Sequence, residues 1–253
     1  MILNDARRCT ALILRGLGNR QREVRRLSGS LCVLSALLFW CSIAEVRAEP
    51  VDLELVLGID CSYSVDANEF ALQRLGLGHA FRSPEVVAAI AQGPRKAIAV
   101  TVVLWSSATS QVVAIPWTRV DDAASAAALA ARLEGTPRLT EEGATSISAM
   151  IRFGLNLFGT SPLQGERRTI DIASDGRNNS GGRVRVMRAL AQAEGVTVNG
   201  LAILNEEPTL NYYFENQVIT GPNAFVIKAD DYSQFEAAIK RKLIREIGNQ
   251  PIA

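Results

Sequence analysis

Apolar runs typical of buried strands recur along the chain from Val51 onward. Residues 51–59 end in a nearly continuous apolar run, as expected for a strand that is covered on both faces. Comparable runs predict five further strands, at residues 98–105, 111–117, 169–174, 196–204 and 224–227. Because the connection between the second and third strands is short and polar, these two are expected to form a hairpin.

Helical patterns fill the segments between these strands. Asp66 and Glu69 are spaced as a capping pair and predict a helix start. Thr145 opens the clearest helix, in which apolar residues recur at helical spacing: Ile147, Met150, Ile151, Gly154, Leu155 and Phe158. Further helices are predicted at about residues 121–133, 183–193 and 232–247.

This alternation of strands and helices predicts an α/β fold. We expect a doubly wound, Rossmann-like, mostly parallel six-stranded sheet with one antiparallel edge strand and helices on both faces. No linker rich in Pro, Gly or Ser divides residues 49–253, so they are expected to form a single domain. If the strand order is 3-2-1-4-5-6, the first and fourth strands are neighbours at the point where the order reverses, which is where such sheets bind ligands.

The first 48 residues are predicted to be a signal peptide that is cleaved after Ala48. Arginines precede an apolar run from Leu31 to Ala44, and Val46 and Ala48 occupy the two positions that a signal peptidase reads. The run is shorter than the roughly 20 residues that span a bilayer. A membrane anchor or a core helix is the alternative interpretation. The prediction implies an exported protein, periplasmic or secreted, without membrane integration once the signal is removed.

Charge and cysteine content follow the same division. Residues 1–48 carry eight arginines and three acidic residues, so 19 basic and 23 acidic residues remain in the predicted mature domain. A mildly acidic domain lacks the basic face that nucleic acid or anionic lipid would need. Of the 4 cysteines, only Cys61 lies beyond residue 48, so no internal disulfide is expected.

Polar residues that can carry chemistry lie in three segments, each at a strand end or a helix start. Asp60, Ser62 and Ser64 directly follow the first strand, Thr145 opens the striped helix, and Asp175 directly follows the fourth strand. Within the first segment, alternation lets the Asp and the two Ser side chains converge while the residues between them turn away. At a strand-order reversal, Asp60 and Asp175 would face each other across one crevice.

These side chains predict a site for one divalent cation. Two carboxylates and three hydroxyls are hard oxygen ligands, which favour Mg²⁺, or Mn²⁺ or Ca²⁺, over zinc or copper. The carboxylates roughly neutralise a divalent ion but leave its shell incomplete. Water or an oxygen from another molecule must complete it, and an incoming Asp or Glu carboxylate is the natural candidate.

The pattern resembles the metal-ion-dependent adhesion site (MIDAS) of von Willebrand A (VWA) domains. Asp60, Ser62, Ser64, Thr145 and Asp175 match the five positions of that motif, in the right order and in a fitting βα frame. The resemblance implies a VWA-like fold, a bound Mg²⁺ or Mn²⁺, and capture of a protein ligand through an acidic side chain. The sequences around Trp105 and Asp175 resemble a bacterial exported branch of unknown function, which implies no particular partner.

Five other residues have a structural and a functional interpretation. Asp171 lies in a buried strand and could extend the acidic site, but we favour pairing with an arginine or a backbone donor. Cys61 has no histidine beside it in sequence and is expected to be a small core residue rather than a nucleophile. His79 is expected to be packed or half-exposed. For Trp105 and Tyr63, a core position and a place at the rim of the crevice are equally open.

The leading functional hypothesis is a binding module without catalysis, whose metal ion captures an exposed Asp or Glu of a protein or peptide. The first alternative is a metal-dependent phosphatase or hydrolase. Haloacid dehalogenase-type phosphatases, however, need a second aspartate where this chain has Ser62. The second alternative is a scaffold with a structural metal and a partner surface elsewhere.

Overall fold

The six predicted strands form one sheet in the computed structural model, which describes residues 48–248. The strands are β1 (Glu49–Asp60), β2 (Ile98–Trp105), β3 (Gln111–Val120), β4 (Leu163–Ser174), β5 (Thr197–Ile203) and β6 (Val226–Ala229). Their order is β3-β2-β1-β4-β5-β6, and only β3 pairs antiparallel. The predicted fold class and hairpin are therefore confirmed, and the strand order is the one that makes β1 and β4 neighbours.

Within these residues, six helices lie between the strands and a seventh follows the last strand. They are α1 (Ala67–Arg82), α2 (Pro84–Ala91), α3 (Ala123–Glu134), α4 (Ile147–Phe158), α5 (Val184–Ala193), α6 (Leu210–Tyr213) and α7 (Phe235–Gly248). The predicted capping pair is confirmed: the Asp66 side chain accepts from the backbone of Glu69, whose side chain accepts from the Asp66 backbone. A π-helical turn (Phe214–Val218) extends α6, and a 3₁₀ turn (Tyr232–Gln234) precedes α7.

Each face of the sheet carries its own hydrophobic core. On one face, alternate residues of β1 such as Leu55 and Leu57 pack with α1, α2, α3 and α7. On the other face, Val56 packs with α4, α5 and α6. Burial on both faces explains why the central strands are continuous apolar runs rather than alternating ones.

Some element bounds differ from the predictions. The fourth strand begins at Leu163 rather than residue 169. The prediction misses its first half because that half is partly exposed and carries no apolar run. The helix predicted to open at Thr145 begins at Ile147, with Ser146 as the N-cap residue. The last strand lies at Val226–Ala229 rather than residues 224–227, and helices α2 and α6 were not predicted.

No helix among residues 48–248 combines the length and apolarity that crossing a membrane requires. The predicted signal peptide, apart from its last residue, lies outside the described residues. The cleavage after Ala48 and the single domain at 49–253 stay predictions.

Candidate metal centre

The first segment of the candidate site is a tight loop at the carboxyl end of β1. Asp60 is fully buried, and its Oδ1 accepts a hydrogen bond from the backbone N–H of Ser62 at 2.7 Å. The hydroxyl oxygens of Ser62 and Ser64 lie 3.3 Å apart. The Asp60 carboxylate and the two serine hydroxyls therefore lie close together in one loop, while Tyr63 between the serines is 73% exposed.

The carboxyl end of the neighbouring strand β4 adds the second carboxylate. Asp175 is fully buried, and its Oδ1 accepts a hydrogen bond from Ser64 Oγ at 2.7 Å. Its other oxygen, Oδ2, accepts from the phenol of Tyr232 at 3.1 Å. Ser174 directly precedes Asp175, and its hydroxyl donates a hydrogen bond to Asp60 Oδ2, so it links the two loops. The two acidic loops thus meet at the strand-order reversal.

Thr145, in the loop before α4, lies beside the turn that follows Asp175. A Cβ added to Gly176 would lie 3.3 Å from Thr145 Oγ1, so the missing side chain at Gly176 lets this hydroxyl approach the turn after Asp175. The side-chain oxygen of Asn179 accepts from the backbone N–H of Thr145 at 2.8 Å. The backbone N–H of Tyr63 donates to the carbonyl of Gly143 at 2.8 Å and joins this loop to the first one.

Two polar side chains hold the first loop from outside, half-buried Arg138 and fully buried Gln73. The guanidinium of Arg138 donates to the carbonyls of Cys61 (2.9 Å), Ser62 (3.3 Å) and Val65 (3.0 Å). The amide of Gln73 donates to the carbonyl of Asp60 at 3.1 Å. Because these donors bind backbone carbonyls of the loop, they fix its conformation.

Burial makes the negative charge at this site costly. Burial, followed by the charge of Asp175, raises the pKa of Asp60 from 3.8 to about 7, against hydrogen bonds from Ser174 and Ser62 that lower it. Burial also raises the pKa of Asp175, although the hydrogen bonds from Ser64 and Tyr232 oppose the change. In residues 48–248, no ion pair joins either carboxylate to a basic side chain.

The arrangement suits a hard divalent cation. It offers two carboxylates and three hydroxyls, which are the ligand types that Mg²⁺, Mn²⁺ and Ca²⁺ prefer. Within the described part of the chain, no three His, Cys, Asp or Glu residues form a group that could hold a metal. A site here would therefore rely on hydroxyl oxygens. Ser64 and Gly176 are half-buried, so the convergence point lies near the surface.

The remaining candidate residues differ in where the structure places them. Trp105 is fully buried and belongs to the core, whereas Tyr63 is exposed beside the site. Cys61 is fully buried, and burial raises the pKa of its thiol to about 11, which disfavours the nucleophilic thiolate. His79 is half-exposed and lies 2.8 Å from a carboxylate oxygen of Glu236.

Asp171 belongs to a separate buried cluster. Its Oδ1 lies 2.6 Å from Nζ of Lys242 on α7, and the same Nζ lies 2.5 Å from Glu246 Oε1. The amide of Asn199 also donates to this glutamate oxygen at 2.8 Å. The structural interpretation of Asp171 is confirmed, but the partner is a lysine rather than the expected arginine or backbone donor.

Three supporting residues were not identified from the sequence. In the sequence, Tyr232 lies at the start of the predicted closing helix, Ser174 at the end of the predicted fourth strand, and Arg138 in none of the predicted elements. The position of Ser174 directly before Asp175 was the only local signal, since the contacts of Tyr232 and Arg138 connect positions 57 and at least 73 residues apart.

Residues 50–251 match the family described as "Protein of unknown function (DUF1194)", and the chain belongs to that family. Among curated proteins, no sequence matches the chain.

Solved structures of VWA domains share the fold. Proximal thread matrix protein 1 of the mussel byssus, with a zinc-occupied MIDAS motif, is 17% identical with a TM-score of 0.58 over 79% of this chain and 49% of its own. The von Willebrand factor type A protein of Catenulispora acidiphila is 16% identical with a TM-score of 0.55 over 79% and 43%. The pilus tip protein Mfa5 domain of Porphyromonas gingivalis is 10% identical with a TM-score of 0.53 over 80% and 98%.

At these identities the comparison shows the VWA-like, Rossmann-like fold alone. This chain spans about half the length of the mussel protein chain. The zinc in that protein belongs to its own site, so the expected preference of this chain for Mg²⁺ stays a prediction.

Proposed function

We propose that this member of the DUF1194 family is an exported binding module that holds one divalent ion at a complete MIDAS. The ligands are Asp60, Ser62, Ser64, Thr145 and Asp175, and the ion is Mg²⁺, or Mn²⁺ or Ca²⁺ in its place. The captured group is an exposed Asp or Glu of a protein or peptide partner. The module performs no catalysis.

The observation that carries this proposal is a pair of buried carboxylates that no basic side chain of residues 48–248 pairs with. Asp60 and Asp175 are fully buried and surrounded by neutral hydroxyls from Ser62, Ser64, Ser174 and Tyr232. Uncompensated burial of charge is unfavourable, and a divalent cation is the species that would offset two negative charges at one point.

The incomplete shell of the ion supports carboxylate capture. The two carboxylates roughly neutralise a divalent ion but leave its coordination shell incomplete, so an oxygen from another molecule can complete it. The half-buried positions of Ser64 and Gly176 give a partner access, and exposed Tyr63 adjoins the same opening. Tyrosine is enriched in protein interfaces, which fits contact between Tyr63 and a partner at this opening.

Two further facts agree with the proposal. The metal-occupied motif of the mussel matrix protein and the pilus tip protein Mfa5 place this fold in proteins that act outside cells. Export of this chain is supported by the predicted signal peptide, which leaves residues 49–253 as the mature module.

The test is capture of acidic peptides by the mature domain in the presence of Mn²⁺. We expect a random peptide library to yield binders that contain Asp or Glu, and replacement of that residue by Asn or Gln to abolish their capture. EDTA and the Asp175→Ala variant should abolish capture as well, whereas Asp230→Ala, an exposed aspartate that is not among the proposed ligands, should not.

Two outcomes contradict the proposal. Equal capture with Mn²⁺ and with EDTA would indicate a scaffold whose partner surface lies elsewhere. Turnover of phosphate or ester substrates with Mg²⁺, lost in Asp60→Ala, would instead indicate the phosphatase or hydrolase alternative.

A further inference from the structure

We propose that Tyr232 is a positioning residue of the metal centre, whose phenol O–H fixes the Asp175 carboxylate in its ion-binding orientation. This inference rests on the proposed metal site. It adds a residue from outside the five ligands, contributed by the connection between β6 and α7.

Both carboxylates of the site are held at both oxygens. Asp60 accepts from the Ser62 backbone at Oδ1 and from the Ser174 hydroxyl at Oδ2. Asp175 accepts from Ser64 Oγ at Oδ1 and from the Tyr232 phenol at Oδ2. The phenol is therefore the hydrogen-bond partner that stops the Asp175 carboxylate from rotating about its terminal bond.

The tyrosine is itself held rigidly. Its side chain is 4% exposed and belongs to the core beneath α1 and α7. It opens the 3₁₀ turn that leads into α7, and the Asp231 side chain caps this turn by accepting from the Ser233 backbone. A ring packed on a capped turn presents its hydroxyl from a fixed position, which is the requirement for orienting a metal ligand.

The phenol can act only as a donor to the carboxylate. An ionised carboxylate can only accept, and a phenol with its ordinary pKa of about 10 is protonated at neutral pH, so the hydroxyl is the donor. A neutral O–H that donates to a carboxylate oxygen is a charge-assisted hydrogen bond and is stronger than a bond between neutral groups.

The chemistry differs from that of the ligands. The Ser64 hydroxyl, which holds the other oxygen, can turn toward the ion because serine has two acceptor lone pairs and a rotatable hydrogen. The phenol of Tyr232 then remains as the constant partner of Asp175, whether or not the ion is bound. Removing it should lower metal affinity without removing a ligand, as loss of a residue that orients a metal ligand does in other metal sites.

The experiment measures Mn²⁺ affinity by titration calorimetry in Tyr232→Phe, which keeps the ring and its packing and deletes only the hydroxyl. We expect the Kd for Mn²⁺ to rise about 10- to 100-fold relative to the unmodified domain. Tyr212→Phe is the matched control, since it deletes the hydroxyl of an exposed tyrosine on α6, outside the proposed site, and its Kd should stay unchanged. The electron paramagnetic resonance spectrum of bound Mn²⁺ should change in Tyr232→Phe alone, which a purely structural role would not produce.

The outcomes separate this inference from the proposed function. Equal Kd values and spectra for Tyr232→Phe and the unmodified domain would overturn the role of Tyr232 and leave the metal site intact. A fall in Mn²⁺ affinity in both tyrosine variants would also overturn it, because the effect would then not be specific to the bond with Asp175. Absence of Mn²⁺ binding to the unmodified domain would overturn the metal site and the inference together.

Discussion

Two clusters of buried carboxylates lie on this sheet, and they differ in the origin of the positive charge. In the α7 cluster, Asp171 and Glu246 share the fully buried ammonium of Lys242, which the chain itself supplies. At the strand ends, Asp60 and Asp175 accept hydrogen bonds from hydroxyls and from a backbone N–H, and no basic side chain of residues 48–248 forms an ion pair with them. The first cluster has its cation within the fold, whereas the second offers the same pair of charges to a cation from solution.

This difference separates a structural site from a binding site. A buried charge is tolerated when it is paired, and it raises the free energy of the folded state when it is not. The α7 cluster meets that condition with an internal lysine. The strand-end cluster meets it only by protonation or by binding an ion, and both of these are open to experiment.

The largest expected effect comes from removing the internal cation. Lys242→Met leaves Asp171 and Glu246 buried without a positive partner, and we expect the free energy of unfolding to fall by about 3–5 kcal/mol in urea denaturation. The matched control is Lys240→Met on the same helix. Its exposed ammonium lies 3.4 Å from exposed Glu85, so its loss should cost less than about 1 kcal/mol. Equal losses of stability in the two variants would show that Lys242 does not neutralise buried carboxylates, and the distinction between the clusters would then fall.

Adding an external cation should stabilise the second cluster. For a site with a Kd of about 10 µM, 1 mM Mg²⁺ or Mn²⁺ raises the free energy of unfolding by roughly 2.7 kcal/mol, visible as a higher melting temperature. Ser62→Ala, Ser64→Ala and Asp175→Ala should remove this response and keep the fold. If these variants respond to the ion as the unmodified domain does, the assignment of ligands is wrong.

Protonation should stabilise the metal-free protein by a smaller amount. The pKa of Asp60 is raised from 3.8 to about 7 on folding, so the folded state binds the proton more tightly. The free energy of unfolding contributed by this group is therefore higher near pH 4 and falls as the pH rises through 7.

Neutralising Asp60 tests that pH dependence directly. Asp60→Asn should raise the free energy of unfolding in EDTA at pH 8 by on the order of 2 kcal/mol, since it removes one buried charge. The same variant should gain little at pH 4 and should lose its response to Mn²⁺. Urea denaturation at the two pH values provides the measurement, and a destabilised variant at pH 8 would contradict the charge argument.

The architecture was accessible from sequence because its signals are local. Continuous apolar runs identify the buried strands. Ligands bind where the strand order reverses, and the pairing of β1 with β4 at that point makes the loops of Asp60 and Asp175 neighbours. Helix α2 was missed although Ser83 caps it and Pro84 occupies its first position, because proline also marks turns. The first half of β4, with Glu166 and Arg168 facing solvent, has no apolar pattern to detect.

The candidate site was accessible only in its ligand set. Short sequence motifs predict the candidate ligands and their positions at strand ends and helix starts, whereas no such motif identifies the side chains that orient those ligands. Tyr232 contacts Asp175 across 57 residues, and Lys242 is separated from Asp171 by a whole βαβ unit. Such pairs arise from tertiary packing, so the local hydrophobic pattern of the sequence does not predict them.

The most direct measurement is anomalous diffraction from crystals of the mature domain grown with Mn²⁺. The account predicts one manganese peak between Asp60 and Asp175, in contact with the serine hydroxyls of the first loop, and no peak at the Lys242 cluster. A structure with no manganese between these two aspartates, or with their side chains turned away from each other, would contradict it.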